Sequence, residues 1–283
     1  MVAINKKLKY FSIFSGSILS AMLIKRAYFS YKGRKSRPAL TDQIYNWRFG
    51  KIRYRVKGHG EPLLLLHGVY PGADMTEWDK IDTTIYHSYR VYTLDLLGFG
   101  LSEKPDISYS SYLYTCLVND FIEDVIKSPS IVAASDYSAA YTVMGYIFNP
   151  RYYKKMILIS PAGISDGYQL PGIKDLLTKW LLRLPIISDI AYIILTRGQT
   201  ASKLFKNLRG RKSISSHMPL EISPSAFVGG SNGKYPICEL LTKYLNVKIK
   251  NKVNKIKIPL LILTRENADF KKVSSRVKDF LEL

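Results

Sequence analysis

Two reactive side chains stand close together in Ala134-Ser135-Asp136-Tyr137-Ser138-Ala139-Ala140. A carboxylate such as Asp136 or a hydroxyl such as Ser138 can attack an electrophile and form a covalent intermediate. Such chemistry also needs a general base, most often histidine. The chain has four histidines, His59, His67, His87 and His217. Its two cysteines, Cys116 and Cys238, support neither a disulfide framework nor a Cys-based zinc site. No cofactor-binding or metal-ligating pattern is read.

The elements that must position these residues alternate along the chain. Ile52, Tyr54 and Val56 alternate with Lys51, Arg53 and Arg55, as in a half-buried strand. Pro62 to Leu66 is a continuous apolar run, which fits a strand buried on both faces. Further strands are read at Tyr89–Leu94, Ile131–Ala134 and Met156–Ile159. Asp120–Ile126 reads as the end of a helix, and Ala139–Phe148 as a helix closed by Asn149-Pro150. Strands separated by helices predict a mostly parallel sheet in an α/β fold.

Three stretches carry a resemblance. Leu65-Leu66-His67-Gly68 is followed by Asp95-Leu96-Leu97-Gly98-Phe99-Gly100-Leu101-Ser102-Glu103-Lys104-Pro105. Later comes Ile258-Pro259-Leu260-Leu261-Ile262-Leu263-Thr264. Together they resemble the α/β-hydrolase superfamily, of the bacterial AB hydrolase-1 type. The resemblance covers residues 45–165 and 235–283, and it implies an inserted helical cap at about 165–235. It implies a hydrolase acting on a small apolar, ester-like molecule, without a cofactor.

In that family the nucleophile sits on a strained strand-to-helix turn with small neighbours. Two registers satisfy this. Asp136 with Ala134, Ser138 and Ala139 resembles haloalkane dehalogenases and epoxide hydrolases. Ser138 followed by Ala139 and Ala140 resembles serine hydrolases, with Asp136 in a crowded position. A degenerate turn in which neither reacts also stays open. The resemblance implies an oxyanion hole from the backbone of Val69 with Tyr137 in the first register, or with Ala139 in the second. His67 is expected to be structural, and Asp269 is the acid of the implied triad. The base would follow the last strand, yet no histidine follows Asp269. His59 and His87 read as surface residues, and His217 falls in the cap. The reading is therefore a hydrolase lacking its final strand and base, or a catalytically inactive binding protein held at a membrane surface. Residues 270–283 read as a helix with Val273, Val277, Phe280 and Leu281 on one face.

The chain's 283 residues carry a formal net charge of +20 and are 47% hydrophobic. The charge is divided unevenly: +13 over residues 1–57, −6 over 58–173 and +13 over 174–283. The site region is acidic, and no nucleic-acid-binding motif appears, so nucleic acid is not an expected partner. Lys6, Lys7 and Lys9 precede an uncharged run, Tyr10–Ile24, closed by Lys25 and Arg26. Residues 1–29 are expected to form a membrane anchor or a signal-like segment, although fifteen helical residues reach only about 22 Å. The positive-inside rule favours the cytoplasmic face for the rest of the chain. Residues 30–44 read as a linker to a hydrolase domain at 45–283. In the cap, Leu176, Leu177, Trp180, Leu181 and Leu184 form an apolar stripe that could roof a pocket or pack. Lys203–Lys212 and Lys248–Lys257 read as solvated basic runs, with anionic lipid as the next reading.

Overall fold

The computed structural model describes residues 2–36, 38–79, 83–164, 169–197, 222–263 and 270–282. Seven strands form one sheet: β1 (Asp42–Trp47), β2 (Gly50–Lys57), β3 (Glu61–Leu66), β4 (Tyr89–Leu94), β5 (Ser130–Ser135), β6 (Tyr153–Ile159) and β7 (Leu260–Leu263). Their spatial order is β1-β2-β4-β3-β5-β6-β7. The pairs β1·β2 and β2·β4 are antiparallel, and every pair from β4 to β7 is parallel. This is the expected α/β architecture, and β7 closes one edge among the described residues.

The register explains the apolar runs. Leu64 and Leu66 of β3 lie beside Val132 and Ala134 of β5 and point to one face. Leu63 and Leu65 point to the other, with Ile131, Ala133 and Ile157. Both faces are covered by helices, so β3 has no polar side to show. On the first face lie α2 (Ser111–Phe121) and α3 (Asp136–Phe148). Ser110 caps α2, its hydroxyl accepting from the Leu113 N–H at 3.1 Å. On the second face lies the C-terminal helix, whose Val277 and Leu281 are buried against the sheet. That is the face its spacing predicted.

The segment between β6 and β7 supplies α4 (Ile173–Arg183), α5 (Pro185–Leu195), α6 (Lys234–Leu241) and the short α7 (Lys250–Val253). The C-terminal helix, Phe270–Glu282, is α8. Pro185 opens α5, where a proline costs no intrahelical hydrogen bond.

Two expectations at the N-terminus need correction. A single helix, α1, runs from Val2 to Gly33, through the uncharged run and into the expected linker. Among the described residues no helix is long and apolar enough to cross a membrane. The physical reason lies in the run itself: it is short, interrupted by Ser12, Ser15, Ser17 and Ser20, and bounded by lysines. The expected transmembrane anchor is therefore not supported. The linker also loses its other end, because β1 starts at Asp42. The Asp42 carboxylate accepts from the Arg55 Nε at 2.9 Å, which ties β1 to β2.

The core position of Leu65 gives a direct check. Leu65→Ala is expected to cost about 2–5 kcal/mol, through lost transfer energy and a cavity between packed layers. The half-exposed Ile44 on edge strand β1 should cost well under that when changed to Ala. Urea unfolding of the two variants measures the difference.

Candidate active site

The parallel strands β3, β4 and β5 end side by side, and the loops that follow them converge. In open α/β sheets this edge is where ligands bind. The β5–α3 junction is the tightest of these turns. Asp136 has φ of 55°, in the left-handed region. A non-glycine residue there costs about 1 kcal/mol or more, and surrounding contacts must hold it. One is the hydrogen bond from the Ala162 N–H to the Asp136 carbonyl, 3.0 Å. Another involves the side chain: the Val69 N–H donates to the Asp136 Oδ2 at 3.2 Å.

Asp136, rather than Ser138, therefore occupies the strained strand-to-helix turn. Ser138 is fully buried in the first turns of α3, and its hydroxyl donates to the His67 carbonyl at 2.5 Å. Ala139 is fully buried beside it. Tyr137 is buried too, and its phenol donates to the Asn246 Oδ1 at 3.1 Å. The structure thus brings Asp136, Val69 and Tyr137, all buried, together at the turn, with Ser138 one step further into α3. Asp269 and His217 lie outside the described residues. His59 and His87 are exposed.

His67 is held from both ring nitrogens. Nε2 accepts from the Leu96 N–H at 3.0 Å, so Nδ1 carries the proton and donates to the Gly68 carbonyl at 2.6 Å. Burial lowers its pKa from 6.5 to about 4. It fastens the end of β3 to the loop after β4, the scaffold role expected for it.

Sequence reasoning missed Glu77. It lies on a short 3-10 helix, Met75–Trp78. Its Oε2 accepts from the Gly68 N–H at 2.9 Å and the Tyr70 phenol at 3.1 Å, while its Oε1 accepts from the Ser135 hydroxyl. One carboxylate thus joins the loop after β3 to the last residue of β5, next to Asp136. Burial pushes the Glu77 carboxyl up, its three donors pull it back, and the charge of Asp136 adds to the rise. Nothing in the local pattern singles out this glutamate: besides the nearby Tyr70 phenol, its partners are a backbone N–H and a hydroxyl distant in sequence.

The Asp95-to-Lys104 motif turns out to shape the loop. The Asp95 carboxylate accepts from the Met75 and Leu101 N–H groups, both at 2.7 Å. Burial, then the charge of Asp74, raises its pKa to about 7. Gly100 has φ of 51°, and a Cβ there would lie 2.1 Å from the Asp95 carboxyl carbon, so only glycine fits. Lys104 is buried and donates to the Gly100 carbonyl at 2.6 Å; burial lowers its pKa to about 8. Among the described residues no cluster of potential metal ligands occurs.

The buried imidazole has a pH signature. Because folding lowers the pKa of His67, the stability it contributes is full above pH 6.5. That contribution falls away as pH drops from 6.5 towards 4, by up to about 3 kcal/mol. An NMR titration of the ring should show His67 neutral down to about pH 4. A midpoint near 6.5 would contradict this burial account.

The geometry agrees with comparisons to known proteins. A family model described as the alpha/beta hydrolase family matches residues 63–220. A 2-hydroxy-6-oxo-6-(2'-aminophenyl)hexa-2,4-dienoic acid hydrolase of Metapseudomonas resinovorans is 27% identical over 132 residues, 46% of this chain and 46% of that protein. A haloalkane dehalogenase of Agrobacterium fabrum is 26% identical over 104 residues, 37% of this chain and 34% of that protein. The matches span less than half the length of either relative. A solved hydrolase from Pseudomonas aeruginosa superposes with a TM-score of 0.63 at 13% identity, covering 87% of this chain and 100% of that one. A serine hydrolase involved in carbazole degradation gives a TM-score of 0.57 at 16% identity, over 86% of this chain and 99% of that one. These two likenesses concern the fold alone. With more than half of its residues matched by the family model and a sheet of the same design, this chain belongs to the alpha/beta hydrolase family.

Proposed function

We propose that this chain is a hydrolase that attacks a small apolar molecule with the Asp136 carboxylate. One observation carries the reading: the Val69 N–H is already engaged by the Asp136 Oδ2. In a serine hydrolase that donor would await the carbonyl oxygen of the substrate. Here it is matched to the nucleophile's own oxygen, which suits a carboxylate that becomes an ester. The inward hydrogen bond of the Ser138 hydroxyl argues the same way. So does the likeness to the Agrobacterium fabrum protein named a haloalkane dehalogenase.

The chemistry has two steps. The Asp136 Oδ1 attacks a saturated carbon, and the bond from that carbon to its leaving group breaks. The leaving group departs with the electron pair, and Asp136 becomes an ester. Water then adds to the Asp136 carboxyl carbon and loses its proton to solvent. Negative charge develops on Oδ2, where the Val69 N–H meets it. Expulsion of the alcohol restores the carboxylate. Glu77 acts as a positioning residue, holding the Gly68 N–H and the Ser135 hydroxyl so that the Val69 donor and the Asp136 turn keep their spacing. Asp269 remains the proposed acid of the triad.

Intact-protein and peptide mass spectrometry tests the reading. Incubation with short haloalkanes and epoxides should give an alkyl adduct on the peptide bearing Asp136. Asp136→Asn should lower adduct formation by roughly a thousandfold or more. Ser138→Ala should retain it. Fluorophosphonate labelling that disappears in Ser138→Ala would move the nucleophile to Ser138 and overturn the proposal. No adduct with either reagent class would favour a hydrolase-fold binding protein without turnover.

A further inference from the structure

Helix α4 is docked the wrong way round for a water-facing helix. Its charged side faces inward: Lys179 and Arg183 pair with the buried Glu239 at 2.7 and 3.1 Å, and Asp175 pairs with Lys243 at 3.0 Å. The Lys179 ammonium also lies 3.9 Å from the centre of the Tyr244 ring. The apolar stripe is left outside, with Ile173 77%, Leu177 66% and Trp180 71% exposed. Helix α5 continues the theme. It buries Ser188 and Tyr192 and leaves Ile186 74% and Ile190 54% exposed. The helix cannot rotate to turn this apolar surface inward without breaking the three ion pairs that hold its charged face there.

Helix α1 joins the same surface. Lys25 pairs with Asp189 of α5, and Phe29 stacks on Tyr192 at 6.2 Å between ring centres. Ile24 and Ile190 are the sequence neighbours of that ion pair, and both are exposed. Between α1 and Val228–Asn232 runs a groove of about 680 Å³. Among its described lining residues are Lys25, Arg26 and Arg34, and no acid. Exposed Lys174 and Arg197 stand at the outer ends of α4 and α5.

We propose that the outer faces of α4, α5 and α1 form a docking surface for an anionic lipid bilayer, on which the protein lies without crossing it. Charge decides the occupant. The acids of α4 and α5, Asp175 and Asp189, are both neutralised by lysines, which leaves exposed Lys174 and Arg197, with Arg26 and Arg34 of the groove, to set the charge of the border. A second copy would bring the same cations to that border. An anionic bilayer offers hydrocarbon for Trp180 and the isoleucines, and phosphates for the groove. Two eleven-residue helices are too short to span a bilayer and well suited to lying in its surface. The proposal stands apart from the choice of nucleophile.

Vesicle flotation of the full chain tests it. Vesicles of phosphatidylcholine with phosphatidylglycerol should bind the protein, more weakly as salt rises, and phosphatidylcholine alone should bind it poorly. Trp47 and Trp78 are buried, so quenching by brominated lipid reports Trp180. Trp180→Ser with Ile186→Ser should weaken binding about tenfold. Both side chains are solvent-facing, so the melting temperature should hold. Arg26→Glu with Arg34→Glu should weaken binding to the anionic vesicles. Absence of binding, or binding unchanged in the Trp180/Ile186 double variant, would overturn the proposal. Sedimentation showing a dimer that the same double variant dissociates would assign the face to a second copy and overturn it too.

Discussion

The left-handed backbone of Asp136 is the constraint on which the site depends. A strained residue relaxes unless its surroundings forbid it. Here the surroundings are the ends of β3 and β6 and the loop after β3. The Val69 N–H holds the carboxylate, the Ala162 N–H holds the carbonyl, and Glu77 holds Ser135, the residue before the turn. Space is short as well: a Cβ on Gly68 would stand 3.1 Å from the Tyr70 ring and 3.3 Å from the Asp136 Cβ. Backbone geometry therefore places Asp136 at the turn and Ser138 within α3, where its hydroxyl meets the His67 carbonyl.

Around that turn the protein keeps an unusual density of buried ionisable groups. Burial raises Asp95 and Glu77 and lowers His67 and Lys104. At Asp74 burial also pushes upward, but donors from Ser223, Ser225 and Thr76 outweigh it and leave the carboxyl below its ordinary value. Removing one member of such a set leaves its partners buried without a counterpart, which is worse than never having had the pair. The network thus commits the loops to one arrangement. Of the acids in the acidic middle of the chain, Asp74, Asp95 and Asp136 are buried, while Asp79, Glu103, Asp106, Glu123 and Asp124 are exposed.

The parallel core was legible because its signal is local. Runs such as Leu63–Leu66 have one explanation, burial on both faces, and β4 falls where the pattern put it. Edge strand β1 was not legible: Asp42–Trp47 alternates weakly because it pairs on one side only and shows Ile44 to solvent. The stripe of α4 was seen, but its direction was not. Apolar spacing tells which residues share a face, and only the partners Glu239, Lys243 and Tyr244 decide which face turns inward. The choice between Asp136 and Ser138 was hidden for a related reason. Both registers satisfy the small-neighbour rule, and they differ only in a backbone angle.

The short 3-10 turn after β3 joins three parts of the molecule within four residues. Asp74 binds Ser223 and Ser225 in the segment leading back from the helical insertion. The Met75 N–H binds Asp95 after β4, and Glu77 binds Gly68 and Ser135 beside the turn at Asp136. Residues 74–77 thus act as a rivet, fixing the helical insertion, the end of β4 and the turn at Asp136 in one hydrogen-bonded arrangement.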